Sequence, residues 1–133
     1  MITIIDYSIN NIWSVQSALE HLNINYIITN DPQKISRATH IILPGVGSFN
    51  QAMKNIKKLN IDKAINSAIL KNSKILGICL GMQLLASQGL ENGDTEGLNL
   101  ITNTIRIFNK TKMPNLKIPH VGFNLVKKSN KGN

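Results

Sequence analysis

The single cysteine of this 133-residue chain, Cys79, lies between Gly77 and Gly81, where a strand pattern changes into a helix pattern. The strand pattern starts at Lys74 and the helix pattern at Leu80. Glycines on both sides permit the sharp bend of a nucleophile elbow, in which the side chain projects at the N-terminus of a helix. The helix dipole and the free N–H groups there stabilise a thiolate, the reactive form of cysteine. The pattern therefore predicts a nucleophilic thiol, and the alternative is an inert buried cysteine.

A thiolate that attacks a carbonyl group needs backbone donors for the oxyanion that forms. The N–H of Leu80, directly after the cysteine, is one candidate. A second glycine-containing loop, residues 44–47, follows the strand predicted at residues 40–43. Because the carboxyl ends of parallel strands meet at one edge of a sheet, we expect this loop to lie beside Cys79. A plain strand-to-helix turn is the other interpretation of the same loop.

Several short motifs resemble, in family order, those of the class I glutamine amidotransferases. The residues around Cys79 resemble the nucleophile motif of that family. Taken together, the motifs are similar to the glutaminase subunit of imidazole glycerol phosphate synthase, the HisH family. The other motifs are Asp6-Tyr7, residues 43–49, residues 93–98 and residues 119–124.

The resemblance implies that Cys79 hydrolyses L-glutamine to glutamate and ammonia through a thioester. It implies that the Gly47 N–H is the oxyanion donor that acts with the Leu80 N–H. It also implies that Gln83 and Glu91 bind substrate: Gln83 lies one turn after Cys79 on the same helix face, and Glu91 could bind the substrate ammonium group. Without the resemblance, a helix-surface glutamine and a solvated acid are the simpler interpretations.

No metal or organic cofactor is implied, and one cysteine with three dispersed histidines makes a poor metal site. The resemblance implies a heterodimer with a (βα)₈-barrel cyclase subunit, which would use the ammonia to make imidazole glycerol phosphate in histidine biosynthesis. Two alternatives stay open. One is a paralogue that supplies ammonia for amidation of a surface-polysaccharide sugar, and the other is a non-catalytic binding domain on the same scaffold.

The chain departs from the family pattern in three places. The family completes its triad with a histidine and a glutamate two residues apart in a C-terminal stretch. None of His21, His40 and His120 precedes an acid at that spacing. We therefore expect a C-terminally truncated subunit that is inactive alone, rather than a minimal enzyme. Residues 8–11 replace the usual glycines and Phe123 replaces a usual tryptophan, both near the side that faces the partner in the family.

Strand and helix patterns alternate, which predicts an α/β fold with a mostly parallel sheet covered on both faces. The resemblance implies the flavodoxin-like three-layer sandwich of the class I glutamine amidotransferases, incomplete at its C-terminus, with residues 1–133 as a single domain. Strands are predicted at residues 2–5, 24–28, 40–43, 74–78 and 118–126, with exposed antiparallel strands from Leu98. Helices are predicted at residues 11–22, 32–38, 49–56 and 61–69 and after Cys79, and residues 89–97 are predicted to be a polar loop.

Composition fits one globular domain, with 42% hydrophobic residues and no stretch long enough to span a membrane. A single cysteine excludes an internal disulfide and fits a reducing cytoplasm. The net charge of +8 raises the question of nucleic-acid binding. The lysines are scattered and no nucleic-acid motif accompanies them, so we expect neither a nucleic-acid nor a membrane partner.

The first predicted helix carries the only tryptophan of the chain. Ile12, Val15 and Leu19 form its buried stripe, and Trp13 lies off that stripe. An off-stripe tryptophan is either a boundary residue or an interface anchor.

Overall fold

The structure is a computed structural model that describes residues 1–9, 11–109, 111, 117, 121–123, 125 and 127. A four-stranded sheet at its centre has the order β2-β1-β3-β4, and all three neighbouring pairs are parallel. This is the strand order of flavodoxin-like folds. The predicted parallel sheet is thus confirmed. Its strands are β1 Ile2–Ile5, β2 Tyr26–Thr29, β3 His40–Leu43 and β4 Lys74–Gly77.

Helices cover both faces of this sheet, which gives the three layers expected from the sequence. Successive strand residues point to opposite faces of the sheet. Ile4 and Ile42 therefore belong to the apolar cluster on one face, and Ile5 and Ile41 belong to the cluster on the other. The smaller cluster packs against α1, and the larger one packs against the other helices. The helices are α1 Ile12–His21, α2 Pro32–Ile35, α3 Phe49–Lys58, α4 Ile61–Leu70 and α5 Leu80–Leu84.

Local side-chain bonds start two of the helices where the sequence predicts them. The Asp31 carboxylate accepts a 2.8 Å hydrogen bond from the Gln33 N–H at the start of α2. The Ser48 hydroxyl accepts one of 3.3 Å from the Gln51 N–H at the start of α3. Ser48 and Gln51 have the spacing of a capping box, but its reciprocal half is not formed, because the Gln51 amide donates to Asn55 instead.

The start of β2 differs from the prediction by two residues. The N–H groups of Leu22, Asn23 and Ile24 all donate to carbonyls of α1, which closes the helix. Asn23 adopts a left-handed conformation with φ of 53° there. The backbone of Ile24 is therefore bonded to the end of α1 and does not pair in the sheet, and β2 begins at Tyr26.

A second sheet corrects the prediction for the residues after α5. It contains β5 Ala86–Gly89, β6 Thr95–Glu96 and β7 Ile101–Ile105 in the order β6-β5-β7. The antiparallel arrangement predicted from Leu98 is wrong for β7, which runs parallel to β5. The chain reverses once into β6 and once more after it, so β7 returns in the direction of β5. β5 was missed because its residues carry no β-branched or aromatic side chain.

Three further expectations meet different outcomes. Trp13 is 75% exposed and Leu19 is buried, whereas Ile12 and Val15 are half-buried against the smaller apolar cluster, so the stripe of α1 faces the sheet but is only partly buried. The strand predicted over residues 118–126 lies mostly outside the described residues, and so does His120. Within the described part of the chain, no helix is long and apolar enough to cross a membrane.

Candidate active site

Cys79 occupies a sharp turn between the end of β4 and the start of α5. Its backbone has φ of 54° and ψ of −118°, and the residue is exposed. A positive φ is uncommon for a residue with a Cβ, and such strained backbone costs about 1–3 kcal/mol unless its surroundings enforce it. The turn has the shape expected of a nucleophile elbow, with the sulfur presented at the carboxyl edge of the sheet.

The flanking glycines are required by close backbone contacts. A Cβ on Gly77 would lie 2.5 Å from the Met82 Cα, and a Cβ on Gly81 would overlap the carbonyl oxygen of Leu43. The Ile78 N–H also donates a 3.0 Å hydrogen bond to that Leu43 oxygen. The end of β3 therefore packs directly against the elbow, and only glycine permits this approach.

The loop at residues 44–47 continues from β3 and lies against the first turn of α5. A Cβ on Gly45 would be 3.1 Å from the Leu80 Cβ, which shows how closely the two segments pack. Gly47 has φ of +85°, a conformation that favours glycine. Leu80 is the first residue of α5, so its N–H has no acceptor within the helix.

A cavity of about 450 Å³ opens at this edge of the sheet. Four of the five predicted site residues line it, namely Gly47, Cys79, Gln83 and Glu91. The fifth, Leu80, is buried and offers the site only its backbone. The structure thus brings the predicted residues together. The remaining lining residues are Phe49, Ile105, Arg106, Ile107, Phe108 and Val121.

Glu91 has a partner that the sequence did not reveal. One of its carboxylate oxygens accepts a 2.9 Å hydrogen bond from the backbone N–H of Phe49, the first residue of α3. A carboxylate at a helix N-terminus is stabilised by the helix dipole. The bond fixes Glu91 at the wall of the cavity.

Two further residues of the site were not identified from the sequence. Arg106, which the sequence placed in an exposed strand, is among the residues that line the cavity, and it also lines a second hollow with Thr102 and Thr104. Tyr7 is fully buried beneath the loop, and its hydroxyl donates a 2.8 Å hydrogen bond to the Pro44 carbonyl. Burial raises the pKa of the Tyr7 phenol, and the charge of a Cys79 thiolate raises it further. The position of Tyr7 just after β1, at the carboxyl edge of the sheet, was the available signal.

The two described histidines lie away from the cavity. His40 opens β3 and therefore lies at the amino edge of the sheet, whereas Cys79 follows the carboxyl end of β4. His21 closes α1. Neither is among the residues that line the cavity.

The comparison with known proteins fits this geometry. Residues 3–130 match the family model described as Glutamine amidotransferase class-I. Proteins named imidazole glycerol phosphate synthase subunit HisH are similar to the chain: 48% identical over 124 residues in Oceanobacillus iheyensis, 46% over 126 in Geobacillus sp. strain WCH70 and 40% over 126 in Bacillus velezensis. Each alignment covers 93% of this chain.

The chain spans about 60% of the length of these curated relatives. The family match, in contrast, extends over almost all of the chain and includes both the elbow and the neighbouring loop. This chain belongs to the class I glutamine amidotransferase family.

Proposed function

We propose that this protein hydrolyses L-glutamine to L-glutamate and ammonia, with Cys79 as the nucleophile. The observation that carries the proposal is the shared cavity of Cys79, Gly47, Gln83 and Glu91, with the cysteine held in an elbow turn. An exposed thiol at a strained turn is set up for nucleophilic attack rather than for packing.

The Cys79 thiolate attacks the side-chain amide carbon of glutamine and forms a tetrahedral oxyanion. The N–H groups of Gly47 and Leu80 donate to that oxyanion, and one such donor is worth roughly 10²–10³ in rate. Collapse of the oxyanion breaks the C–N bond, and the leaving nitrogen takes up a proton and departs as ammonia. Water then hydrolyses the thioester. Proton transfer falls to the histidine and glutamate that the family places in its C-terminal stretch.

The charges that line the cavity suit a zwitterionic amino acid. Glu91 binds the α-ammonium group with its carboxylate, and the Gln83 amide bonds the side-chain amide of the substrate. Arg106 is a lining residue of the cavity, and we propose that its guanidinium pairs with the α-carboxylate. One anion and one cation therefore match the two charges of L-glutamine.

The ammonia passes to a cyclase partner that makes imidazole glycerol phosphate in histidine biosynthesis. The support is that the similar proteins from three bacteria are named as subunits of that synthase. The partner we propose is a (βα)₈-barrel subunit in a heterodimer, and the location we propose is the cytoplasm.

Labelling with a diazoketone analogue of L-glutamine tests the glutaminase proposal. The diazo carbon of this reagent takes up a proton from solvent, the thiolate attacks that carbon and N₂ leaves, so intact-mass spectrometry detects one adduct. We expect the chain to react faster with the L-analogue than with its D-enantiomer, and Cys79→Ser to give no adduct. Equal rates for the two enantiomers, or labelling no faster than that of a free thiol, would contradict the proposal.

A further inference from the structure

Tyr7 is the only fully buried side chain with an ionisable group among the described residues, and it lies under the loop that carries Gly47. The residue follows β1, and its ring belongs to the larger apolar cluster. Its backbone carbonyl accepts a 3.0 Å hydrogen bond from the Asn55 amide. The phenol is therefore fixed in place by packing and by its own backbone.

The bond from the Tyr7 hydroxyl is the shortest hydrogen bond that the loop makes with the described residues. This bond to the Pro44 carbonyl is 2.8 Å long and buried. The other described contact, from the Val46 N–H to the Ile9 carbonyl, is 3.5 Å long and correspondingly weak. A Cβ on Gly45 would overlap the Tyr7 hydroxyl, so the loop also rests directly on the phenol.

The loop is thus held between the phenol on one side and α5 on the other. The Gly45 Cβ position is 2.9 Å from the Gly81 N of α5. Gly45 and Gly47 place few steric limits on φ and ψ of the loop, so contacts with its neighbours must fix its conformation. The bond at the Pro44 carbonyl is the one of normal length among those described for the loop.

We propose that Tyr7 is a positioning residue for the oxyanion site: by holding the Pro44 carbonyl it sets the direction of the Gly47 N–H beside Cys79. The inference rests on the proposed glutaminase function. Because burial raises the pKa of the phenol, the hydroxyl keeps its proton and remains a donor. The hydroxyl donates its only proton to the Pro44 carbonyl. Tyr7 therefore affects the oxyanion through the Gly47 N–H and does not exchange a proton with the thiol.

Two reactions of Cys79 separate these roles. With iodoacetamide, the thiolate attacks the CH₂ carbon and iodide leaves, so no oxyanion forms. With the γ-(p-nitrophenyl) ester of L-glutamic acid, the thiolate attacks the carbonyl through an oxyanion, the C–O bond breaks and p-nitrophenolate leaves without acid catalysis. We expect Tyr7→Phe to slow acylation by about tenfold, since misplacing a donor costs less than removing it. The rate of alkylation of Tyr7→Phe should stay within about twofold of the wild-type rate, since that reaction forms no oxyanion.

Tyr26→Phe is the matched control, because the chain has two tyrosines and the Tyr26 hydroxyl bonds Glu20 and Gln16 outside the cavity. It should leave both rates unchanged. Acylation by Tyr7→Phe at the wild-type rate, or an equal fall in both reactions, would overturn the positioning role. Wild-type acylation no faster than that of a free thiol would instead overturn the proposed function.

A second measurement keeps the test independent of whether Tyr7→Phe folds. Difluorotyrosine, incorporated in the Tyr26→Phe background, preserves the shape of the phenol and makes it more acidic. Above the pKa of the buried fluorophenol, which lies below that of the ordinary phenol, the donor to Pro44 is lost, and the two chains are compared over the pH range in which their helical circular dichroism is unchanged. The ratio of acylation to alkylation should then fall as pH rises in the fluorinated chain but not in the ordinary one, and parallel pH profiles would overturn the proposal.

Discussion

Glu91 and Phe49 are joined by a 2.9 Å hydrogen bond from the Phe49 N–H to the carboxylate, across 42 positions of the chain. The bond attaches the loop after β5 to the first residue of α3. The Glu91 carboxylate therefore caps α3 while the residue lines the cavity. A change at Glu91 should therefore affect ligand binding more than stability, provided that the replacement can still accept the Phe49 bond.

Glu91→Gln meets that condition, because its amide oxygen can accept from Phe49. We expect it to weaken binding of L-glutamine by about 1.5–3 kcal/mol, the value of a hydrogen bond to a charged group. Binding of glutaramate, which lacks the α-amino group, should be unchanged. Calorimetric titration of both ligands measures the difference. Glu96→Gln is the control, since Glu96 pairs with Lys57 on the surface, and equal losses for the two ligands would show that Glu91 does not bind the ammonium group.

Gly47 and Gly81 should respond differently to alanine. At Gly81 a Cβ overlaps the Leu43 carbonyl, so Gly81→Ala should cost about 3 kcal/mol or more of stability. At Gly47 the Cβ meets nothing closer than 3.6 Å, and the cost is the left-handed φ, about 1–2 kcal/mol. Thermal unfolding should give a lower Tm for Gly81→Ala than for Gly47→Ala.

Gly47→Ala should nevertheless lose the acylation of Cys79. Alanine disfavours the left-handed φ, and a change of φ at this position would turn the N–H away from the oxyanion. Loss of one such donor lowers the rate by about 10²–10³. The γ-(p-nitrophenyl) ester and iodoacetamide assays apply here as well. A folded Gly47→Ala variant with wild-type acylation would exclude Gly47 as the donor.

The parts of the site that depend on neighbours in sequence were predictable. Gly77, Cys79 and Gly81 indicate an elbow because the bend itself requires small residues at those spacings. The parallel sheet was likewise evident from alternating patterns, whereas β5 was not, since its residues carry no strand signal. The bonds of Glu91 to Phe49 and of Tyr7 to Pro44 span 42 and 37 positions and exist only once the sheet has formed. No local pattern encodes such contacts.

Alkaline pH should destabilise the fold through Tyr7. The pKa of its phenol is raised in the folded state, so folding favours the neutral form. This stabilisation is fully present below the unfolded value of about 10 and is lost as pH rises above it. One proton corresponds to a slope of about 1.4 kcal/mol per pH unit, which Tyr7→Phe should lack. Urea unfolding of both chains across this range measures the slopes, and equal slopes would contradict the burial of the phenol.

Burial of the Tyr7 phenol should also be visible in the ultraviolet absorbance of the chain. In the Tyr26→Phe variant, Tyr7 is the only tyrosine of the chain. Its phenolate absorbance should appear together with the loss of helical circular dichroism, because the phenol ionises only when the fold opens. Phenolate that forms while the helices persist would show that Tyr7 has solvent access in the folded chain.

Trp13 should contribute to association rather than to the core. It is 75% exposed on α1, near the start of that helix. Trp13→Ala should therefore change the free energy of unfolding by less than about 0.5 kcal/mol. It should weaken binding to a bacterial cyclase subunit of imidazole glycerol phosphate synthase by about 2 kcal/mol or more, as expected for an aromatic anchor. Surface plasmon resonance measures the affinity, and thermal unfolding measures the stability.

Leu70→Ala is the matched control for Trp13→Ala, because Leu70 is 86% exposed at the end of α4, on the opposite side of the sheet from α1. It removes a comparably exposed apolar side chain and should leave the cyclase affinity unchanged. Equal weakening by both variants would indicate non-specific apolar contact. A large loss of stability in Trp13→Ala with unchanged affinity would show that the tryptophan supports α1 itself, and the partner surface would then have to lie elsewhere.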